Sequence, residues 1–572
     1  MTTTRMVWHF CKDQSHIITE ICSRHKLPPL IARILLNRGL VEAEEVLAFL
    51  EPTLERLSQP LDLPGLAEAA ARLAQAVRRR EPLAVYGDYD ADGLTATALL
   101  CRFFQALGLA VIPYIPDRLN EGYGLNQAAV EELARRAGLL VTVDCGVSNA
   151  AEVTRARQLG LEVIITDHHE VPAELPPALA VVNPKRQGPD SLFGDLAGVG
   201  VALMLALAVR RALREEGWFA DRAEPNLRAA LDLVALGTAA DVVPVLGQNR
   251  ILVRQGLRVL EETRRPGLAA LKEAAGVEGR PLSFRDLVFR LAPRLNAAGR
   301  LGQARGALAL LLATDLPQAR EQARLLNDLN RQRQSLEEEV LREADALVRR
   351  EGWDRRPVML LAREGWHVGV LGIVAARLAE AYHRPVALVS LEDGLGKGSA
   401  RSIPAFHLYR GLDACREHLL KFGGHRAAAG FSVRAEDLPE LARSLEEAFA
   451  AQVGERPPPP TLQVDAHIAL TDLDDDYFHH LERLRPFGPG NPEPVFAAAG
   501  VECVSSRVVG EKHLKIHLAQ GGRVFEAIAF DQARLHPLTG PLDVALATRL
   551  NYFQGRHLPE LRLLDWSRTL GK

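Results

Sequence analysis

Three short β-rich runs in the first half of the chain each end in carboxylates, and that repetition dictates the fold around them. Leu83-Ala-Val-Tyr86 leads into Asp88-Tyr-Asp90-Ala-Asp92-Gly93. Leu139-Leu-Val-Thr-Val143 leads into Asp144, and Val163-Ile-Ile-Thr166 into Asp167-His168-His169. Amphipathic stretches separate the runs, the alternation of a parallel sheet with helical crossovers over residues 76–260. In an open parallel sheet the carboxyl ends of the strands converge on one edge, where ligands bind. Five acids and two histidines gathered there would repel one another unless cations held them.

Each signal alone is weaker than the set. Asp88, Asp90 and Asp92 alternate, so they would face one side in a strand or wrap a cation in a turn, with Gly87 and Gly93 permitting tight backbone. By themselves they also fit a solvated acidic turn or a calcium loop. An EF-hand fails, because the downstream glutamate and the flanking helix pair are missing. Asp144 alone reads equally well as a helix cap. Asp241, ending Ala235-Leu-Gly-Thr-Ala-Ala-Asp241, is either a helix-end cap or the further acid needed to fill two coordination spheres. A His-His pair beside an acid is uncommon in a purely structural role. Carboxylates with one or two imidazoles suit Mn²⁺ best, with Mg²⁺ the alternative. Two such ions about 3.5–4 Å apart would acidify a water and stabilise charge on a phosphoryl oxygen. The expected reaction is metal-assisted hydrolysis of a phosphoester or phosphoanhydride. No Walker A or GxGxxG sequence follows the first strand, which disfavours motor and hydride chemistry.

At 572 residues the chain exceeds one core, and its net charge of -3 points to no polyanionic partner. Six scattered cysteines without a CxxC pair argue for a reducing, cytoplasmic setting and against a zinc ribbon. The N-terminus lacks an apolar signal core, and the longest apolar run, Leu196 to Val209, is shorter than the roughly 20 residues that span a bilayer. Residues 1–75 read as helical. Residues 317–350 give a long, highly charged helical pattern, a strut between domains. A second α/β unit follows over 351–455, then the stiff linker Arg456-Pro-Pro-Pro-Pro460. Residues 461–572 alternate in short strands, over Val501–Val509, Leu514–Leu518, Arg523–Phe530, Leu542–Leu550 and Glu560–Leu564, and suggest a small β-barrel. Pro293 to Arg300 reads as a polar loop. Gly396-Lys-Gly-Ser-Ala-Arg-Ser402 and Phe422-Gly-Gly-His-Arg426 read as glycine loops that can present N–H groups and cations to a phosphate, or else as plain turns.

Taken in order, seven segments resemble the motifs of the DHH phosphoesterase superfamily. They are Val85-Tyr-Gly-Asp-Tyr-Asp-Ala-Asp-Gly93, Val143-Asp-Cys-Gly146, Thr166-Asp-His-His169, Ala235 to Pro244, Pro293 to Arg300, Gly396 to Ser402 and Phe422 to Gly430. Over nearly its whole length the chain is similar to the RecJ family within it, bacterial single-strand-specific 5′→3′ exonucleases. The resemblance implies an α/β fold: a parallel-sheet DHH domain (76–316), a long connecting helix (317–350), a smaller α/β DHHA1 domain (351–455) and an OB-fold-like barrel (461–572) that binds nucleic acid. It implies two Mn²⁺ or Mg²⁺ ions on Asp90, Asp92, Asp144, His168 and Asp241, with Asp88, Asp167 and His169 as adjoining catalytic groups. Asp167 would orient an imidazole, and His169 would touch the scissile phosphate.

The same resemblance implies that Ser399 and Arg401 take the 5′-terminal phosphate and that His425 and Arg426 hold substrate. Arg118, Arg294, Asn296 and Arg300 are weaker phosphate contacts. Phe487, Tyr552 and Phe553 are stacking candidates beside Arg485 and Arg556, a core role being the alternative for each aromatic. A grip on the 5′ end, in a cleft between the two domains too narrow for a duplex, would release mononucleotides from single-stranded DNA only. A monomer acting in DNA repair and recombination with single-strand-binding protein and a helicase, and without a membrane, is implied. The competing readings are a DHH-type phosphatase or short-oligonucleotide hydrolase, and a non-catalytic single-strand-binding scaffold.

Overall fold

Alternating buried strands and crossover helices build the first half of the chain. The computed structural model describes residues 6–12, 14–118, 120–188, 191–553 and 556–569, with side chains described throughout these except over 551–557. It divides into two compact units, Phe10–Asn327 with Gln463–Lys572, and Met1–His9 with Asp328–Leu462.

In the larger unit, strands β1 (Leu83–Gly87), β2 (Val111–Tyr114), β3 (Leu139–Val143), β4 (Glu162–Thr166) and β5 (Ala180–Val182) form one sheet in the order β2-β1-β3-β4-β5. Every pairing is parallel. Every residue of β1 and β3 is buried, as expected for strands covered on both faces. The crossover helix α1 (Ala91–Ala106) packs on α2 (Gly198–Glu215) and α3 (Leu231–Ala240). The long apolar run noted in the sequence lies largely in α2, a buried core helix. No helix among the described residues is long and apolar enough to cross a membrane. Helix α4 (Gly247–Glu261) follows, and then Leu287–Leu291, a single π-helical turn that runs into α5 (Ala292–Arg300). The expected polar loop over Pro293–Arg300 is therefore a helix. Pro293 lies just past the π-helical turn, where the regular i→i−4 ladder is already interrupted and a residue without an N–H is accommodated. Gly299 is there for contact: a Cβ would lie 2.5 Å from the carbonyl oxygen of Tyr89.

The C-terminal part of the same unit is a closed barrel of β11 (Val495–Val509), β12 (His513–Gln520), β13 (Arg523–Ala529), β14 (Gly540–Phe553) and β15 (Arg556–Arg568), the strands between being given below. Strand β14 pairs with both β15 and β11 and closes the ring. Most of these strands run longer than their alternating patterns, because the closing pairs continue past the buried positions. The N-terminal helices belong to this barrel's core: Ile31, Ile34, Leu35, Val46 and Phe49 share one cluster with Phe496, Leu514 and Leu546. The segment Pro486–Asn491 docks on the catalytic part, where Val245 N–H donates to Pro489 O at 2.8 Å.

Helix α6 runs unbroken over Leu316–Glu351, with Pro317 in its first turn. In the smaller unit, β6 (Met359–Glu364), β7 (Val386–Glu392), β8 (Leu395–Arg401), β9 (Lys421–Gly424) and β10 (Ala428–Arg434) form a mixed sheet in the order β9-β10-β8-β7-β6. Helix α7 (Val368–Tyr382) and the C-terminal part of α6, through Val340, Ala344 and Val348, share a core with Met359 and Leu388. Two glycine-rich segments expected to be loops are strands here. Gly396–Arg401 pairs antiparallel on both sides. Its glycines admit neighbours rather than make turns: a Cβ at Gly398 would sit 2.2 Å from the Phe431 ring, and one at Gly396 2.6 Å from Val389. Phe422–Gly424 lies in β9, and the chain turns only at Gly424, whose φ is +146°.

Candidate metal centre

Sheet register brings the acids together. Gly87 lies beside Val143 and Val143 beside Thr166, so the residues that follow, Asp88, Asp144 and Asp167, stand side by side at the carboxyl edge. The strand order reverses at β1, the switch point at which open sheets bind ligands. Asp88, Asp90 and Asp92 do not share one strand face. Asp88 follows the strand, Asp90 caps α1 by accepting from the N–H groups of Asp92 (2.9 Å) and Gly93 (3.0 Å), and Asp92 lies in the first helical turn. Both oxygens of Asp92 accept from the start of α2, at 2.6 Å from Gly198 N–H and 2.9 Å from Val199 N–H. Asp144 does not cap a helix. It takes a left-handed φ of +62° and turns its carboxylate against Gly198, where a Cβ would lie 2.7 Å from its own. Asp241 follows α3 as its cap residue and also reaches the cluster.

His168 joins these groups. Its Nε2 lies 3.0 Å from Asp144 Oδ1, 3.6 Å from Asp241 Oδ2 and 4.0 Å from Asp92 Oδ2. Three sets each bring one ligand atom per residue within 4.8 Å of the others: Asp88 with Asp90 and Asp144, Asp92 with His168 and Asp241, and Asp144 with His168 and His169. Yet Asp88 Oδ1, Asp144 Oδ1, Asp241 Oδ2 and His168 Nε2 are buried and make no hydrogen bond. His168 Nε2 and Asp144 Oδ1 stand 3.0 Å apart without hydrogen-bond geometry, and the four atoms converge on shared points. Leaving buried polar atoms unpartnered costs about 1–3 kcal/mol each, more for charges, and two divalent ions fit this donor set.

The electrostatics agree. Burial, then the charge of Asp90, raises the Asp92 carboxyl to about 7. Burial, then Asp92, raises Asp241 to about 9 and pushes Asp144 well above the carboxylate range. Asp88 is raised by burial and Asp90. Burial and the neighbouring His169 lower His168 to about 3, leaving its ring neutral and able to ligate.

Asp167 behaves differently. Burial would raise it, but contacts hold it low: His169 Nδ1 lies 2.7 Å from Oδ1, and Val147 N–H donates to Oδ2 at 3.0 Å. The N–H groups of His168 and His169 also donate to Oδ1, at 2.8 and 3.1 Å. The same pair raises His169 against the effect of its own burial. Tyr123, which the sequence reading passed over, places its hydroxyl 3.1 Å from His169 Nδ1 and 3.3 Å from the carbonyl of Asp144. Its signal was the Gly122-Tyr-Gly124 triplet, whose glycines have φ of +84° and +81°.

The remaining candidates scatter. Arg118 lies over the Tyr89 ring at 5.2 Å, and its charge acts on Asp88. Arg300 also acts on Tyr89. Asn296 accepts from Ala91 N–H at 2.7 Å and braces the start of α1. Arg294 donates to Asn327 Oδ1 at 3.1 Å and to Ala274 O at 3.2 Å, a tie between helices. In the smaller unit, Ser399 and Arg401 lie on β8 against α7. A Cβ at Gly372 would stand 2.8 Å from the Arg401 guanidinium and 3.0 Å from Ser399 Oγ. His425 donates through its N–H to Ala428 O at 2.8 Å, and Arg426 to Pro404 O at 2.9 Å. Phe487 is half-buried against the barrel core with the Arg38 guanidinium 5.9 Å away, a packing role for at least one face. Tyr552 and Phe553 fall on β14, but their side chains, like that of Arg556, lie outside the described residues.

The chain matches the model of the DHH family, N-terminal domain, over residues 82–238, the DHHA1 domain over 356–451 and the RecJ OB domain over 464–565. It is 40% identical to the single-stranded-DNA-specific exonuclease RecJ of Escherichia coli, over 93% of this chain and 94% of that protein. The RecJ of Bacillus subtilis is 35% identical over 99% of this chain and 71% of its own length. The crystal structure of RecJ from Thermus thermophilus in complex with Mn²⁺ superposes with a TM-score of 0.84 at 35% identity, covering 99% of this chain and 80% of that one. A Mg²⁺ complex from the same organism gives 0.79.

Proposed function

Because the chain belongs to the RecJ family of DHH exonucleases, we propose that it hydrolyses single-stranded DNA from the 5′ end, releasing mononucleotides with two Mn²⁺ or Mg²⁺ ions in DNA repair and recombination. One observation carries the reading: four buried donor atoms, on Asp88, Asp144, Asp241 and His168, lack any hydrogen-bond partner at one sheet edge. Asp90, Asp92, Asp144, His168 and Asp241 would hold the ions, with Asp88 beside them. Ions bound there supply charge neutralisation and acidify a water for attack on phosphorus.

The protein's own groups do the rest. Asp167 raises the His169 imidazole and fixes its ring, so His169 can donate to a non-bridging phosphate oxygen. The backbone N–H groups at the start of α2 hold Asp92 in place. Ser399 and Arg401 offer a hydroxyl and a guanidinium to a 5′-terminal phosphate, with His425 and Arg426 as further substrate contacts. The OB barrel suits a strand longer than a dinucleotide. Six free cysteines fit a cytoplasmic setting, and a monomer that meets single-strand-binding protein and a helicase completes the reading.

The test is digestion of end-labelled single- and double-stranded oligomers with Mn²⁺. Mononucleotides from the 5′ end of single strands support the reading. Equal digestion of blunt duplex, or hydrolysis confined to dinucleotides, overturns it.

A further inference from the structure

A concavity of about 670 Å³ lies where α4 and the segment Arg280–Arg290 meet the barrel. Seven arginines line it against four carboxylates. Arg280 and Arg290 pair with Asp286, Arg485 with Glu482, and Arg549 with Glu560. Three others are not neutralised in this way. Arg254 donates to two backbone carbonyls, those of Glu482 at 3.2 Å and Arg485 at 2.7 Å. Arg258 and Arg285 form no salt bridge among the described residues, although the charges of Glu493 and Asp286 act on Arg285.

An aromatic stands among these cations. Phe289 is 67% exposed, the largest exposure of any aromatic among the described residues' exposed large hydrophobics. It sits on the π-helical turn Leu287–Leu291, a rare geometry that recurs at functional sites. The Arg285 guanidinium lies 5.4 Å from the Phe289 ring and 6.0 Å from that of Phe530 on the barrel side. A lone exposed phenylalanine needs no explanation. One framed by cations that no salt bridge ties down has the chemistry of a base platform beside a phosphate track. Both walls are connected along the chain to the metal centre. Helix α4 begins shortly after Asp241, and the π-turn runs into α5, whose Asn296 braces α1. By helix rise, Phe289 and Asn296 are about 10 Å apart along the axis.

We propose that this concavity is a track for the single-stranded substrate, with a base stacked on Phe289 and phosphates held by Arg258 and Arg285. The proposal rests on the exonuclease reading and extends it to residues outside the metal centre and outside the barrel's own aromatics. Affinity for oligothymidylates of about 4 and about 20 nucleotides is measured by fluorescence anisotropy without divalent metal, and hydrolysis of both with Mn²⁺. Phe289→Ala should weaken binding of the longer strand about tenfold, while Phe289→Trp retains parental affinity. Arg258→Ala and Arg285→Ala should each reduce the salt slope of binding by about 0.7. Hydrolysis of the shorter strand should be unchanged in all of them, which also reports intact folding.

Parental affinity and salt slope in Phe289→Ala and Arg285→Ala overturn the track while leaving the exonuclease reading standing. Absence of nuclease activity in the unaltered protein removes the reading itself. Competition by an acidic peptide, together with unchanged oligomer binding in the variants, makes the surface a protein-docking site and overturns the proposal.

Discussion

Two buried charged sites lie nine positions apart in sequence and are built on opposite rules. Arg250, on α4, is 2% exposed, and its guanidinium donates to the carbonyls of Phe49 (2.8 Å), Leu484 (3.0 Å) and Arg485 (3.0 Å) while lying 3.7 Å from the Phe49 ring. Its charge is buried, but its donors are answered by backbone from the N-terminal helices and the barrel. Asp241 and its companions are buried with like charges and unpaired atoms. A buried charge with a full set of partners is a fastener. A buried cluster lacking them is a receptacle, unstable until something enters it.

The sharpest way to break that comparison is to neutralise one member of each site. Asp144→Asn, which tolerates the left-handed backbone, should lower exonuclease turnover by about 10³-fold or more, since an ion's charge is worth several kcal/mol in the transition state. Metal-free, the variant should melt no lower than the parent, because the amide is neutral without the proton that burial and Asp92 force on Asp144. A turnover near the parental value would sink the receptacle. Arg250→Met should do the reverse. With carbonyls stranded, stability should fall by about 3 kcal/mol, read as a lower melting temperature, and affinity for long strands should drop as the barrel loosens. Hydrolysis of very short strands should persist.

Asp167 sharpens the contrast from inside the receptacle, for its partners hold it below its ordinary range while Asp88, Asp92, Asp144 and Asp241 are all raised. Asp167→Asn should reduce activity about 10–100-fold, the usual effect of losing a group that orients a working imidazole. It should also lower the pKa of His169, moving the alkaline limb of the pH–rate profile to lower pH. An unshifted limb would show that the protonation of His169 does not matter.

The receptacle was legible in the sequence because its logic is local. Parallel strands deliver the residue after each strand to a common edge, so Asp88, Asp144 and Asp167 could be grouped without coordinates. The fastener was not legible, since the carbonyls that satisfy Arg250 come from residues about Phe49 and Leu484, far away in sequence and carrying no side-chain signal. The glycine segments misled for a related reason. Gly396 and Gly398 read as turn-makers, whereas their absent side chains make room for Val389 and Phe431, contacts visible only after the sheet is assembled. Pro293 likewise suggested a loop, because the π-helical turn that lets a helix carry a proline leaves no mark in the sequence. The presence of DHH, DHHA1 and OB domains was legible from their motifs, but not that the N-terminal helices share the barrel's core.

The smallest effect separates the two sites by pH alone. In the metal-free protein Asp241 titrates near 9 and Asp92 near 7, both above the ordinary carboxylate value. Between those values the folded chain holds protons that the unfolded chain has released, so stability falls as pH rises. His169, raised by Asp167, adds a contribution of the same sign, present below about 6.5 and lost as pH rises through its folded value. His168, neutral down to about 3, acts oppositely, but only below about 6.5. From pH 6.5 to 9 the carboxylates and His169 therefore act together, and the metal-free protein should lose a few degrees of melting temperature. Mn²⁺ should flatten or reverse that slope, because its ligands bind deprotonated and its affinity grows as they lose protons. Arg250→Met should shift the whole curve down without changing the slope, since its partners are carbonyls that do not titrate. A slope indifferent to Mn²⁺ would mean that the crowding of Asp92, Asp144 and Asp241 is not what the ions relieve.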